Sequence, residues 1–136
     1  MKVLVDTPIW SLAFRKKEIG NINNIAIKNL ADLIQDRRIA IIGPVRQEVL
    51  SGISDKYKFY EIKDKMAFFS DYVIKTDDYE FAAECSNECR RNGIQGSHTD
   101  FLICAVAIKN GWEIFTEDAD FFEYEKYIPV KMYTLK

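Results

Sequence analysis

One histidine, His98, and three cysteines, Cys85, Cys89 and Cys104, are all that this 136-residue chain offers for soft-metal or thiol chemistry. A structural zinc centre wants four such ligands, so it is poorly supported. Three thiols cannot all pair within the chain, and free, mostly buried cysteines in a reducing compartment are the expected state. The longest apolar stretch, Phe101 to Ile108, falls far short of the roughly 20 residues of a membrane span. The opening run Met1-Lys2-Val3-Leu4-Val5-Asp6 is too short for a secretory leader and is closed by a charge, so the cytoplasm is the expected location. Strong positive charge is lacking as well. The formal net charge of −2 at pH 7 argues mildly against a nucleic-acid partner, which usually leaves a basic footprint. The bases nevertheless cluster, as Arg15-Lys16-Lys17, Arg37-Arg38 and Arg90-Arg91. Setting several carboxylates aside for cations leaves the remainder weakly basic, so RNA is not excluded. Also absent are a P-loop, a Gly-x-Gly-x-x-Gly turn and a Gly-x-Ser-x-Gly elbow. Ser-His-Asp chemistry would therefore depend wholly on His98.

Apolar material is plentiful: 48% of residues are hydrophobic, with 9 Phe, 7 Tyr and 2 Trp. That suffices for the core of one domain over residues 1–136 without disulfides. Residues 2–5 are a short β-branched run stopped by Asp6-Thr7-Pro8, where Pro8 is placed to open a helix. Over 25–35, Ile27, Leu30, Ala31 and Ile34 recur with helical spacing. A second strand is expected at 39–42, ended by Gly43-Pro44, and a helix carrying Val45, Val49 and Leu50 follows it. Residues 55–71 are expected as an amphipathic helix with Tyr57, Tyr60, Met66 and Phe69 among its apolar positions. Val73-Ile74 is extended. A helix capped by Asp77 or Asp78 runs to Arg91 and stops at Gly93. Ser97 begins the most apolar helix, and strands follow at 113–116 and 130–133. Strands alternating with helices indicate an α/β domain whose mostly parallel sheet lies between two helical layers. In such folds the functional crevice lies outside the carboxyl ends of the strands.

Four carboxylates fall at that edge. Asp6 directly follows the first strand, and Asp118 follows the strand ending near Thr116. Glu48 lies about one turn into the helix after strand two, and Asp100 in the first turn of the Phe101–Ile108 helix. Each has a plainer reading taken singly. Ser97-His98-Thr99-Asp100 resembles a capping box, Asp6 and Asp118 are ordinary turn residues, and Glu48 is a surface side chain. Together they repel one another unless a cation offsets their charge. Hard oxygen donors of this kind suit Mg²⁺ or Mn²⁺. His98, two residues from Asp100, is placed either to touch substrate or simply to begin a helix.

These segments resemble the PIN domain, and within it the VapC-like toxins of type II toxin–antitoxin pairs. The carrying stretches are Val3-Leu4-Val5-Asp6-Thr7-Pro8-Ile9-Trp10, Gln47-Glu48-Val49-Leu50-Ser51-Gly52, Thr99-Asp100-Phe101-Leu102-Ile103-Cys104-Ala105-Val106-Ala107 and Phe115-Thr116-Glu117-Asp118-Ala119-Asp120-Phe121. The resemblance implies a doubly wound, PIN-like three-layer α/β/α fold and Mg²⁺-dependent endonucleolytic cleavage of structured RNA. It also implies homodimerisation and a cognate antitoxin that blocks the site. By position, Asp6, Glu48, Asp100 and Asp118 match the family's four acidic residues. Asp120 is an alternative to Asp118, and Thr7 and Thr116 match hydroxyls that assist the metal shell. The Ser97-His98 approach to Asp100 departs from the family's commonest wording.

The implied mechanism is metal-assisted phosphodiester hydrolysis, with Arg15 and Arg46 as candidate phosphate contacts. An aspartate-based phosphatase would want a second aspartate where Pro8 stands. A non-catalytic PIN-like module binding RNA, DNA or a partner protein is the alternative from another class. The aromatic side chains of 55–71 exceed the needs of one small core, consistent with an interface.

Overall fold

A computed structural model describes residues 1–15 and 24–136. The expected polar loop from Gly20 onward, together with Lys16 and Lys17, lies largely outside the described residues. The chain begins with strand β1 (Val3–Val5), whose three residues are all fully buried. Successive strand side chains point to opposite faces, so burial of all three means that both faces of the sheet are covered. Helix α1 (Thr7–Phe14) starts at once, with the Asp6 carboxylate accepting from the Thr7 N–H and Pro8 in the first turn. Helix α2 (Ile25–Gln35) is capped by Asn24. Strand β2 (Ile39–Ala40) then leads into helix α3 (Gly43–Ser51) and helix α4 (Lys56–Met66), the latter capped by Asp55.

Helix α5 (Thr76–Arg91) follows, and α6 (His98–Asn110) packs along it. Ser97 caps α6, and Gly111 ends it in the left-handed conformation at φ 70°, which glycine adopts without a Cβ penalty. Residues 101–107 of α6 are all buried, because the helix touches both the sheet and α5. Strand β3 (Glu113–Phe115), helix α7 (Asp120–Tyr124) and strand β4 (Lys131–Met132) complete the chain.

The sheet is parallel throughout, in the order β2-β1-β3-β4, which is a PIN-like α/β/α arrangement. Its two central strands align Val3 with Glu113, Leu4 with Ile114 and Val5 with Phe115. They therefore end side by side, and the residues after them, Asp6 and Thr116, emerge at the same edge. All three cysteines are free and buried, and burial pushes the Cys85 thiol up to about 11. Among the described residues no helix is long and apolar enough to cross a membrane.

Several local expectations need correction. The buried face of α2 is Ala26, Asn29, Leu30 and Leu33, while Ala31 is exposed. A hydrophobicity count misses this face because one of its members is polar. Asn29 is buried with its amide spoken for: it donates to the Ile25 carbonyl and accepts from the Tyr133 hydroxyl and the Lys136 N–H. Helix α4 stops at Met66, five residues before the expected end, and its Tyr57 and Tyr60 are exposed while Ile62 and Met66 face the core. Strand two keeps two ladder residues, with Ile42 making a single parallel bridge to Tyr72. The five-residue α7 had no expected counterpart. Its brevity gives helical periodicity little to register on.

Candidate active site

The site is built on the carboxyl ends of β1 and β3. Asp6 is 4% exposed, and both its oxygens are engaged. Oδ1 accepts from the Thr7 N–H at 2.8 Å, and Oδ2 accepts from the Thr116 hydroxyl at 2.8 Å. The same Thr116 oxygen accepts from the Asp118 N–H at 2.9 Å. Thr116 thus links the two strand ends in a way that positions both aspartates. Asp118 in turn accepts the Asp120 N–H on Oδ1 at 2.9 Å, holding the start of α7.

Asp100 enters from the first turn of α6. Its N–H donates to the Ser97 hydroxyl at 3.1 Å, so Ser97 is the cap that the sequence suggests. The carboxylate itself accepts from the Tyr124 hydroxyl on Oδ2 at 2.7 Å. Asp100 is therefore more than a capping residue: its side chain reaches across to α7. Asp100, Asp118 and Asp120 each offer an oxygen within 4.8 Å of the others.

Electrostatics at the edge point the same way. Burial is the main reason the Asp6 carboxyl is pushed up to about 6, against the lowering effect of Thr116 and Thr7, with the charges of Asp100 and Asp118 adding to the rise. Asp100 is raised too, chiefly by burial, with opposing hydrogen bonds from Tyr124 and Ser97 and with Asp118 and Asp120 as further repelling charges. Carboxylates shifted this way hold their charge at a cost that a cation would remove. The donor set of clustered hard oxygens fits Mg²⁺ or Mn²⁺ and offers nothing that would favour a softer ion.

The expected residues are thus not all in one place. Asp100 and Asp118 meet, with Asp120 beside them. Asp6 sits beneath, joined to Asp118 through Thr116. Glu48 is exposed on α3 and stands outside the tight group, tied to the β1 end by the Thr7 hydroxyl, which donates to its Oε1 at 2.7 Å. It shares a shallow depression with Thr99, the neighbour of Asp100. His98 is exposed at the start of α6.

One expectation fails. Arg46 is committed internally, donating to Asp71 Oδ1 at 3.0 Å and to the carbonyls of Met66 and Phe69 at 2.7 and 2.6 Å. It fastens the turn after α4 and is not free to meet a phosphate. Arg15 is exposed at the end of α1. Tyr124 was missed by sequence reading. The only available signal was an aromatic residue shortly after the last acidic pair, which is indistinguishable in one sequence from core filling.

The PIN domain family model matches residues 3–127. Ribonuclease VapC11 of Mycobacterium tuberculosis is 32% identical over 121 residues, covering 88% of each chain. Among solved structures, VapBC2 from Rickettsia felis bound to a DNA fragment from its promoter superposes with a TM-score of 0.78, at 18% identity and covering 100% of both chains. A toxin–antitoxin complex from Klebsiella pneumoniae gives a TM-score of 0.64, at 19% identity and covering 88% of this chain and 90% of that one. At such identities the two structures speak for the fold alone.

Proposed function

The chain belongs to the PIN-domain family, and on that premise we propose that it is a Mg²⁺-dependent endoribonuclease, the toxin of a type II toxin–antitoxin pair, acting on structured RNA. The observation that carries this reading is the cluster of Asp100, Asp118 and Asp120 at the carboxyl edge of β1 and β3, with the buried Asp6 tied to it through Thr116; burial and the neighbouring charges push the Asp6 and Asp100 carboxyls up. The 32% identity to a protein named as a ribonuclease supports the choice of substrate class.

Asp100, Asp118 and Asp120 would hold the cation, with Asp6 supplying the buried charge beneath them. When bound, Mg²⁺ or Mn²⁺ supplies a Lewis acid that activates water and offsets charge on the phosphoryl oxygens. The remaining roles belong to the protein. Thr116 orients Asp6 and the Asp118 backbone together. Thr7 holds Glu48 by one oxygen, and the other would accept a proton from the attacking water or approach a second ion. Exposed bases such as Arg15 would meet backbone phosphates, and each such contact would add to the salt dependence of binding.

Two partners follow from the same reading. A cognate antitoxin covering the crevice is the partner this reading implies; one solved structure of the same fold is named as a toxin–antitoxin complex. A homodimer is supported by the exposed Tyr57, Tyr60 and Phe68 at and just beyond α4. Sedimentation at tens of micromolar should give a dimer. The central test is cleavage of total cellular RNA with Mg²⁺ and with EDTA. Cleavage in Mg²⁺ alone is expected. RNA left intact under both conditions would overturn the catalytic reading in favour of a binding module.

A further inference from the structure

Tyr124 is a polar side chain at the site that the carboxylate chemistry does not use. It ends α7, is fully buried, and its ring lies against Phe101 and Phe121 with centroids 4.9 and 5.2 Å away. Filling that space requires only a ring. The hydroxyl is an added burden, since a buried phenol must find a partner. Its partner is Asp100 Oδ2.

Room for the hydroxyl comes from Gly96. A Cβ at that position would collide with the Tyr124 hydroxyl and ring and would stand 3.0 Å from Phe101 Cε2. The backbone of Gly96 is not in the left-handed region that Gly93 and Gly111 occupy, so close approach alone accounts for glycine there. Two residues far apart in sequence, Gly96 before α6 and Tyr124 at the end of α7, thus cooperate to bring one O–H to one carboxylate oxygen.

We infer that Tyr124 is a positioning residue for Asp100, holding its carboxylate in one orientation toward Asp118 and Asp120, and that Gly96 is the recess that permits it. The inference rests on the metal site proposed above. With Oδ2 anchored, Asp100 presents its other oxygen to the cation without first losing rotational freedom. Groups that orient ligands in this way commonly change metal affinity by 10- to 100-fold when removed.

The test is calorimetric titration of Mn²⁺ into the parent protein, Tyr124→Phe, Gly96→Ala and the double variant, with metal-free melting temperatures measured alongside. Tyr124→Phe keeps the ring and should stay folded, with its melting temperature within about 5 °C of the parent, while Mn²⁺ binds about 10-fold or more weakly. Cleavage by that variant should recover as Mn²⁺ is raised, which a purely structural defect would not do. Gly96→Ala should lose affinity by the same route, and the double variant, in which the new Cβ still crowds the ring, should bind no more tightly than Tyr124→Phe. Should Gly96→Ala fail to fold, Tyr124→Phe decides alone. Parent-like affinity in Tyr124→Phe overturns the positioning role, and parent-like affinity in Gly96→Ala overturns the part given to Gly96. A parent protein that takes up no Mn²⁺ overturns the metal site itself and this inference with it, so the two failures are told apart.

Discussion

Replacing Asp6 by asparagine should make the metal-free protein more stable while abolishing its cleavage of RNA. Asp6 is buried, and its carboxyl is pushed from 3.8 up to about 6, mainly by burial and further by Asp100 and Asp118. A shift of about 2 units corresponds to about 3 kcal/mol of strain in the charged form above pH 7. Asparagine keeps an acceptor for the Thr7 N–H but loses the charge-assisted bond from Thr116, at a cost of about 1 kcal/mol. The net gain is about 1–2 kcal/mol, or about 3–8 °C in Tm for a chain of this size. The sign follows from linkage. Because the folded carboxyl holds its proton more tightly than the unfolded one, its stabilising contribution is complete below about pH 4 and is lost as the pH rises through about 6. Scanning calorimetry without metal should therefore show the variant melting above the parent at pH 7.5, with the gap closing toward pH 4.5. Mg²⁺ should raise the Tm of the parent more than that of the variant. A variant that melts below the parent at pH 7.5, by a margin that does not change with pH, would refute the reasoning.

Asp100→Asn separates ligation from capping. RNA cleavage should fall nearly to background while the metal-free Tm holds or rises, since Ser97 still caps α6 and one repelling charge has gone. Arg46→Ala should cost about 1–3 kcal/mol by urea denaturation, because the Met66 and Phe69 carbonyls and Asp71 lose their charged donor. The salt dependence of its RNA binding should match the parent's, and a shallower slope would return Arg46 to the substrate surface.

The sequence was most legible where one residue type has one physical use. Pro8 after a β-branched run, Ser97 before seven buried residues and Gly111 in the left-handed region each mark a boundary that the structure keeps. The parallel sheet was legible from alternation, and Asp6 and Asp118 from their places after strands. What escaped depends on partners distant in the chain. Burial of Asn29 leaves no local mark in the sequence, because Tyr133 and Lys136, which satisfy it, are more than 100 positions away. Arg46 looked like a phosphate ligand because its anchors, Asp71 and two carbonyls, leave no local mark. Tyr57, Tyr60 and Met66 are equally apolar positions in the sequence, yet the inward face of α4 is set by Ile62 and Met66 while the two tyrosines are exposed.

The bond from Thr116 to Asp6 joins residues 110 positions apart. At ribosomal rates of 5–20 residues per second, the two halves of that contact are synthesised about 5–20 s apart. Strand β1 is central yet cannot gain its β3 neighbour until most of the chain exists, and closing so long a loop is slow relative to local helix formation. A nascent chain therefore carries Asp6 and Glu48 for most of its synthesis without the partners that would complete a cation site. If the chain cuts RNA as proposed, assembly of the last strands becomes the step that arms it, after the message encoding it has nearly been read through.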